Sequence, residues 1–292
     1  MKRAIIIGCG YTGSALATQL SAASIDVIGV RRHAQEGDDK LPYTTKLLDI
    51  SSDFDDQLPE AEDAIVYYMV GPPKQARQYD PKKLSHLAPV DRLVNALAGK
   101  SIRGLVYLSS TSVYGDTQGD WVDEDTPTTP GSPWGQMRVD IENRFWEAGI
   151  QLNAPTTVLR LPEIYGPGRG PIERLRKGYK MRMPERYSNR IHLADLVDIL
   201  AMIGKKTAPA LLVAADGNPA KTQEVYEHVT RITGLVAPIQ STDLPDDPNI
   251  RALVTHSKRC RNTRLIQWMD RPLRYPSYKE GLEETLAQDT TQ

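Results

Sequence analysis

Short apolar runs recur along the chain, and stretches with the period of an amphipathic helix separate several of them. The runs are four to seven residues long and rich in β-branched side chains, as expected of strands buried on both faces of a parallel sheet. Leu16 and Leu20 share one helical face, and apolar residues at helical spacing run from Leu84 to Leu97. The alternation predicts an α/β fold with a doubly wound parallel sheet of the Rossmann type. The predicted strands are Ala4–Ile7, Val27–Val30, Thr44–Ile50, Ala64–Val70, Gly104–Leu108, Thr157–Leu161 and Leu211–Ala215.

A glycine-rich turn joins the first apolar run to the first predicted helix. It has the sequence G-C-G-Y-T-G and matches the dinucleotide fingerprint G-x-G-x-x-G. Gly8 permits a tight turn, Gly10 lets the backbone approach a pyrophosphate, and Gly13 lets the helix pack on the strand. Tyr11 and Thr12 lie at the helix N-terminus, where amide groups and the helix dipole favour an anion. A turn that binds nothing is the alternative, but the strand–turn–helix–strand context favours dinucleotide binding.

The end of the second predicted strand indicates which dinucleotide the site prefers. An NAD site usually has an acidic residue about 20 residues beyond the glycines, where it bonds the ribose 2′-hydroxyl. Here Arg31 and Arg32 end the strand, and the next acid is Glu36. A guanidinium group can donate two parallel hydrogen bonds to the oxygens of one phosphate. The two arginines therefore favour the 2′-phosphate of NADP(H) over NAD(H). A solvated basic turn is the alternative.

Polar residues and glycines follow other predicted strands, at the sheet edge where this fold binds ligands. Asp49 and Ile50 end the third strand, where they could meet the adenine, and Gly71 follows the fourth. The fifth strand leads into Ser109–Asp116, which contains four consecutive hydroxyl residues. These hydroxyls are either cofactor-facing groups or the bonding groups of a turn.

Three segments resemble the extended short-chain dehydrogenase/reductase superfamily, specifically its NAD-dependent epimerase/dehydratase group. They are S-S-T-S-V-Y-G-D at 109–116, R-L-P-E-I-Y-G-P-G-R at 160–169 and N-R-I-H-x-x-D at 189–195. The likeness covers nearly the whole chain and is greatest to an atypical bacterial branch. It implies that Ser110 takes the place of the substrate-binding serine or threonine, with Thr111 as the alternative. It also implies that Ser109, Leu161 and Pro162 contribute to the cofactor site.

The chain departs from this family at its proton-transfer pair. The resemblance implies a Tyr-x-x-x-Lys motif, yet Trp134 and Arg138 stand at those positions. The family's tyrosine exchanges a proton, whereas an indole N–H only donates a hydrogen bond. Arg138 retains a positive charge that suits the cofactor ribose. Tyr114, Tyr165, Asp116 and His192 are the candidates for a substitute acid or base, although tyrosine at 114 is ordinarily structural in this motif.

Composition excludes several other classes of protein. The formal net charge of −1 gives no sign of a nucleic-acid or anionic-membrane partner, and no apolar run approaches the ~20 residues of a bilayer span. Cys9 and Cys260 do not form a disulfide framework, and the five histidines lack metal-ligand spacing. The first predicted strand starts at once, so we expect no signal peptide and a cytoplasmic protein, either a monomer or a homodimer.

The sequence thus predicts a Rossmann domain at 1–165 and a smaller, mainly substrate-binding lobe at 166–292, from which segments such as 189–203 return to the Rossmann side. We expect a small polar or sugar-derived substrate between the lobes. Two functions remain open. One is an NAD(P)-dependent oxidoreductase or epimerase, and the other is a sensor or scaffold that binds NADP(H) without catalysis.

Overall fold

The computed structural model describes residues 1–52, 58–72, 80 and 83–289, and its strands and helices alternate through most of the chain. Its strands are β1 (Arg3–Ile7), β2 (Asp26–Arg31), β3 (Thr44–Leu47), β4 (Ala64–Tyr68), β5 (Gly104–Ser110), β6 (Trp121–Val122), β7 (Thr156–Leu161), β8 (Glu163–Tyr165), β9 (Lys180–Met181), β10 (Tyr187–Ser188), β11 (Arg190–His192), β12 (Leu211–Val213), β13 (Ala220–Lys221), β14 (Ile239–Gln240) and β15 (Arg259–Cys260). Its helices are α1 (Tyr11–Ala22), α2 (Ala88–Leu97), α3 (Pro133–Gln151), α4 (Pro171–Arg176), α5 (Leu193–Ile203), α6 (Thr222–Thr233), α7 (Pro248–Thr255), α8 (Thr263–Met269) and α9 (Tyr278–Asp289).

Among the described residues, the large sheet has seven strands, in the order β12–β7–β5–β4–β1–β2–β3. β1 pairs in parallel with both β2 and β4, and β2–β3 and β4–β5 are also parallel. From β1, the strands β2 and β3 are added on one side and the strands β4 and β5 on the other. The position between β1 and β4 is therefore the switch point where doubly wound sheets bind ligands. This order confirms the predicted Rossmann fold.

β1 is an interior strand of the sheet, between β4 and β2, and its side chains are buried accordingly. Ile5, Ile6 and Ile7 are fully buried, because neighbouring strands cover both edges and apolar side chains cover both faces. The burial of such a side chain stabilises the fold by about 1.5–3 kcal/mol. The continuous apolar run of β1 is thus a consequence of its two covered faces.

The chain divides into two compact units that do not follow a single boundary in the sequence. The first unit comprises Met1–Ser109, Met137–Leu159 and Val197–Leu211. The second comprises Ser110–Gln136, Arg160–Leu196 and Leu212–Gln292, and a separate apolar cluster that includes Tyr165, Val225 and Leu282 forms part of its core. The functional boundary expected near residue 165 stays a prediction.

Several element boundaries differ from those that the sequence pattern predicts. β3 ends at Leu47, so Asp49 and Ile50 lie beyond the strand. α2 begins at Ala88, because Leu84 adopts a left-handed conformation (φ 39°) and a short 3₁₀ turn follows it. α3 begins at Pro133, a residue whose fixed φ suits the first helical turn.

Candidate functional site

The glycine-rich turn is fixed by hydrogen bonds to the end of β2. The carbonyl oxygen of Val30 accepts from the amides of Gly8 at 3.0 Å and Cys9 at 2.9 Å. Gly8 has a φ of +89°, and a Cβ atom there would lie 2.8 Å from Cγ2 of Val70. Only glycine fits this position without strain, because both the backbone conformation and the space exclude a side chain.

Gly10 and Gly13 differ in what surrounds them, and the difference matches the roles expected from the fingerprint. A Cβ on Gly13 would lie 3.0 Å from Ile6 Cγ2 and 3.1 Å from the Gly8 carbonyl oxygen, so α1 packs closely on β1. A Cβ on Gly10 would come no nearer than 4.0 Å, to the same carbonyl oxygen, so its backbone is open. α1 begins at Tyr11, immediately after Gly10, and Thr12 lies in its first turn. This arrangement leaves room for a pyrophosphate at the helix N-terminus.

The two arginines after the glycine-rich turn have different surroundings. The Arg31 side chain is 9% exposed and pairs through Nη2 with the Asp38 carboxylate. Its Nη1 also donates to the Gln35 side-chain oxygen at 2.7 Å. Arg32 is exposed, and it has no hydrogen bond or ion pair with any residue in the described part of the chain. Arg32 is therefore the cation of this pair that is open to an incoming anion.

The other predicted cofactor residues of the first unit lie beyond strand ends. Asp49 is exposed, and hydrogen bonds from the hydroxyl (2.6 Å) and amide (2.9 Å) of Ser51 lower the pKa of its carboxyl group. Ile50 is buried, and Gly71 is exposed just after β4. The Asp49 carboxylate therefore stays ionised, and it already accepts two hydrogen bonds from Ser51 in the same turn.

Arg138 lies near polar groups at the ends of β4 and β5. An Nη of Arg138 would lie 3.6 Å from a Cβ on Gly71, so the guanidinium approaches the backbone after β4. Burial lowers the Arg138 pKa, and the Glu142 carboxylate opposes that shift. Glu142, one helical turn further along α3, is buried and accepts a 2.5 Å hydrogen bond from the Ser109 hydroxyl. Sequence reasoning missed Glu142, although its four-residue spacing from Arg138 was a usable signal.

In the second unit, the hydroxyl-rich segment forms a short 3₁₀ turn over Thr111–Tyr114. The oxygen of Ser110 accepts a hydrogen bond from the Ser112 amide at 3.1 Å, so Ser110 caps this turn. Its hydroxyl is half-buried, and the cap uses only its acceptor capacity. Thr111 is 8% exposed. Ser110 is therefore the better placed of these two hydroxyls to meet a ligand.

Tyr114 is fully buried, and its hydroxyl group both donates and accepts a hydrogen bond. It donates to the Asp123 carbonyl oxygen at 2.6 Å and accepts from Arg160 at 3.0 Å. The Arg160 guanidinium also lies over the ring, 4.9 Å from its centroid. Burial raises the pKa of the Tyr114 phenol far above its ordinary value. These contacts give Tyr114 a structural role as the chain stands.

Trp134 lies in the first turn of α3, in the second unit. Its amide donates to the side-chain oxygen of Asn249 at 2.8 Å, and Ser132 caps the helix by accepting from the Gly135 amide at 3.2 Å. The Trp134 side chain is half-buried. The indole is thus held at the start of the helix, where the family resemblance implies a tyrosine.

The remaining candidates for a substitute acid or base are engaged in holding the second unit together. Tyr165 is fully buried, and its ring meets the edge of His192 with centroids 5.1 Å apart. The His192 ring nitrogens contact the Thr285 hydroxyl and the Ala194 amide, and burial lowers its pKa to about 4. Asp116 accepts hydrogen bonds from the amides of Gln118 and Ser257. β7 ends at Leu161, which is buried, and the half-buried Pro162 follows it.

The sequence did not indicate that the second unit contains a buried lysine. Lys258 is 8% exposed, and burial lowers its pKa to about 8. The Asn189 side chain holds this segment by donating to the Lys258 carbonyl at 2.9 Å and accepting from the Cys260 amide at 2.7 Å. Nothing in the local sequence marks the lysine as buried, because its surroundings come from distant segments.

The fold and the glycine-rich site define a dinucleotide-binding protein of the Rossmann class. A model of the NAD dependent epimerase/dehydratase family matches residues 4–211, and the chain belongs to this family. Among the described residues, no helix has the length and apolar character needed to cross a bilayer. The same residues contain no group of three or more His, Cys, Asp or Glu side chains able to hold a metal ion.

Relatives and solved structures agree with this assignment. Protein YeeZ of Escherichia coli (strain K12) is 30% identical over 249 residues, which cover 82% of this chain and 86% of YeeZ. A functionally unknown conserved protein from Silicibacter pomeroyi is 31% identical, with 99% of each chain covered and a TM-score of 0.81. A UDP-glucuronic acid 4-epimerase from Bacillus cereus shares the fold at 16% identity, with a TM-score of 0.78 and 99% of each chain covered.

Proposed function

We propose that the chain is an enzyme that binds NADP(H) and uses it to convert a sugar-derived substrate, as an oxidoreductase or an epimerase. The observation that carries the proposal is the open backbone at Gly10 together with the exposed Arg32. The first suits a pyrophosphate, and the second suits a 2′-phosphate on the adenosine ribose. When bound, the nicotinamide would supply hydride transfer.

The cofactor side of the proposal rests on residues of the first unit. Gly8, Gly10 and Gly13 shape the turn, and Tyr11 and Thr12 begin the helix that follows it. The amides at the start of α1 would hold the pyrophosphate, because a helix N-terminus carries a partial positive charge. The Asp49 carboxylate and the buried Ile50 lie beyond β3, where we propose they meet the adenosine.

Arg138 and Ser109 complete the proposed cofactor site. The guanidinium approaches Gly71, and we propose that it binds the ribose of the nicotinamide half. Glu142 holds the Ser109 hydroxyl and lies within electrostatic reach of Arg138. Leu161 and Pro162 are proposed contacts of the nicotinamide by family resemblance.

The substrate side of the proposal rests on Ser110, with Thr111 as the alternative. Ser110 retains an O–H donor that would orient a substrate hydroxyl or polarise a carbonyl. The Bacillus cereus epimerase structure contains UDP-glucuronic acid and NAD, and family membership favours a related sugar nucleotide here. It also favours an enzyme over a sensor without catalysis.

Proton transfer must proceed without the family's tyrosine. Trp134 cannot exchange a proton, and the hydroxyl of Tyr114 already donates to a backbone carbonyl. A substrate hydroxyl held by Ser110 would therefore pass its proton to solvent or to a group brought in with the substrate. We expect slow turnover, because positioned acid–base groups contribute about 10²- to 10⁴-fold to rates.

Calorimetric titration with NADPH and NADH tests the cofactor assignment. We expect tighter binding of NADPH, loss of that preference in Arg32→Ala, and loss of binding of both cofactors in Gly10→Val. Arg103→Ala is the matched control, since Arg103 is exposed in the same unit and precedes β5. Equal affinity of the wild-type protein for the two cofactors would refute the NADP(H) preference. Undiminished binding by Gly10→Val would refute the placement of the pyrophosphate.

A panel of nucleotide sugars tests the catalytic part of the proposal. With bound NADP⁺, turnover should appear as absorbance of the reduced cofactor or as conversion of the sugar, detected by chromatography. Ser110→Ala should lower that turnover while leaving cofactor affinity unchanged. Cofactor binding without conversion of any sugar in the panel would support the sensor instead.

A further inference from the structure

Arg31 is held by a loop that folds back onto it. The carboxylate of Asp38 pairs with its Nη2, and the side-chain oxygen of Gln35 accepts from its Nη1. The guanidinium is nearly buried by these contacts. Of the two adjacent arginines at this end of the sheet, one is therefore bound internally and the other is exposed.

Backbone hydrogen bonds within a turn hold the Asp38 carboxylate in position. One of its oxygens accepts from the Gln35 amide at 3.0 Å, and the Asp38 amide donates back to the Gln35 carbonyl at 3.2 Å. Gly37 has a φ of +83°, which turns the chain back, and its carbonyl accepts from the Lys40 amide at 3.0 Å. The carboxylate is thus held by both the turn and the arginine.

This contact determines how much positive charge remains for a ligand. Two free guanidiniums would favour a dianionic phosphate strongly, since each forms charge-assisted hydrogen bonds. The carboxylate neutralises the Arg31 charge and occupies the Nη2 that a phosphate oxygen would take. A 2′-phosphate would have to displace Asp38 from Arg31 or rely on Arg32, whereas a 2′-hydroxyl meets no such competition.

We propose that Asp38 sets the selectivity of this site between NADPH and NADH by competing with the 2′-phosphate for Arg31. Asp38 is a positioning residue, because it acts through the arginine. The proposal rests on the proposed function, since it assumes that the dinucleotide binds at the glycine-rich turn.

Titration of the Asp38→Asn variant with both cofactors tests this role. We expect NADPH affinity to rise about two- to fivefold, the factor given by a single moderately screened ion pair, and NADH affinity to stay unchanged. A merely structural role would change both affinities together. Asp38→Glu should keep the selectivity of the wild-type protein, because it restores the carboxylate.

Two further variants isolate the mechanism. Asp39→Asn removes the same charge from the neighbouring residue, which is exposed, so its selectivity should match that of the wild-type protein. In an Arg31→Met background, Asp38→Asn should no longer raise NADPH affinity, because the group for which it competes is absent. Circular dichroism of each variant confirms that it is folded before the titrations are compared.

The outcomes separate this proposal from the cofactor assignment. If the wild-type protein prefers NADPH and Asp38→Asn leaves the selectivity unchanged, the competition proposal is wrong and the proposed function stands. Weaker NADH binding by Asp38→Asn would show that Asp38 contacts the ribose 2′-hydroxyl, and it would overturn the proposal. If the wild-type protein binds neither cofactor, both the proposed function and the role of Asp38 are refuted.

Discussion

Replacing Lys258 by methionine should stabilise the protein near neutral pH. The lysine is nearly buried, and the described part of the chain offers its ammonium no carboxylate within ion-pair distance. The charged or titratable groups that act on it are Arg186, Asp116 and Cys260. Its ammonium is thus desolvated close to another cation, with Asp116 as a partial compensation. Methionine has a similar length and fills the space without a charge.

The lowered pKa gives the magnitude of the effect. Burial lowers the Lys258 pKa from 10.5 to about 8, and each tenfold change in proton affinity corresponds to about 1.4 kcal/mol. The charged lysine therefore costs up to about 3 kcal/mol of folding free energy below pH 8. Between pH 8 and 10.5 the unfolded chain binds more protons than the folded one, so wild-type stability rises with pH in that window. The advantage of Lys258→Met should shrink accordingly and vanish near pH 10.5.

Urea denaturation followed by circular dichroism, at pH 7, 9 and 10.5, measures this difference. Lys177→Met is the control, because Lys177 is exposed in the same unit and its replacement should change stability by less than about 0.5 kcal/mol. The reasoning is refuted if Lys258→Met destabilises the protein at pH 7. It is also refuted if the stability difference between Lys258→Met and wild type is the same at pH 7 and pH 10.5.

Two other substitutions test the roles of aromatic residues. Tyr114→Phe should cost about 1–3 kcal/mol of stability in a urea titration, since it leaves the buried Arg160 without its hydroxyl acceptor; an unchanged midpoint would contradict the structural role. The double variant Trp134→Tyr/Arg138→Lys restores the family's pair, and we expect it to raise turnover of a nucleotide sugar that the protein converts by about 100-fold or more, because a positioned tyrosine would replace proton transfer to solvent. Turnover no higher than that of the wild-type protein would instead show that another group already transfers the proton effectively.

The sequence was most informative where structure depends on neighbouring residues. The order of apolar run, glycines and helical spacing predicted β1, the turn and α1, because strand, turn and helix signals are local. Gly13 packs on Ile6 as the fingerprint implies. α6 ends at Gly234, which adopts the left-handed conformation typical of a helix end.

Contacts between distant segments could not be predicted in the same way. The partnership of Arg31 with Asp38 depends on the turn at Gly37, and a run of polar residues gives no sign of it. The backbone of Lys258 is bonded to the side chain of Asn189, which lies 69 residues earlier in the chain. Two-residue strands such as β6 and β15 are too short for an apolar alternation to mark them.

The packing of Cys9 links the glycine-rich turn to the second strand in a way that bears on the evolution of this chain. Cys9 is 1% exposed, and a Cβ on Gly29 would lie only 2.6 Å from its sulfur. The ring of Tyr43 closes the same space, 3.0 Å from that Cβ position. Residue 29 can therefore gain a side chain only if residue 9 becomes smaller. Substitutions at these two positions should be accepted in pairs, with an alanine or serine at 29 accompanied by a glycine or alanine at 9.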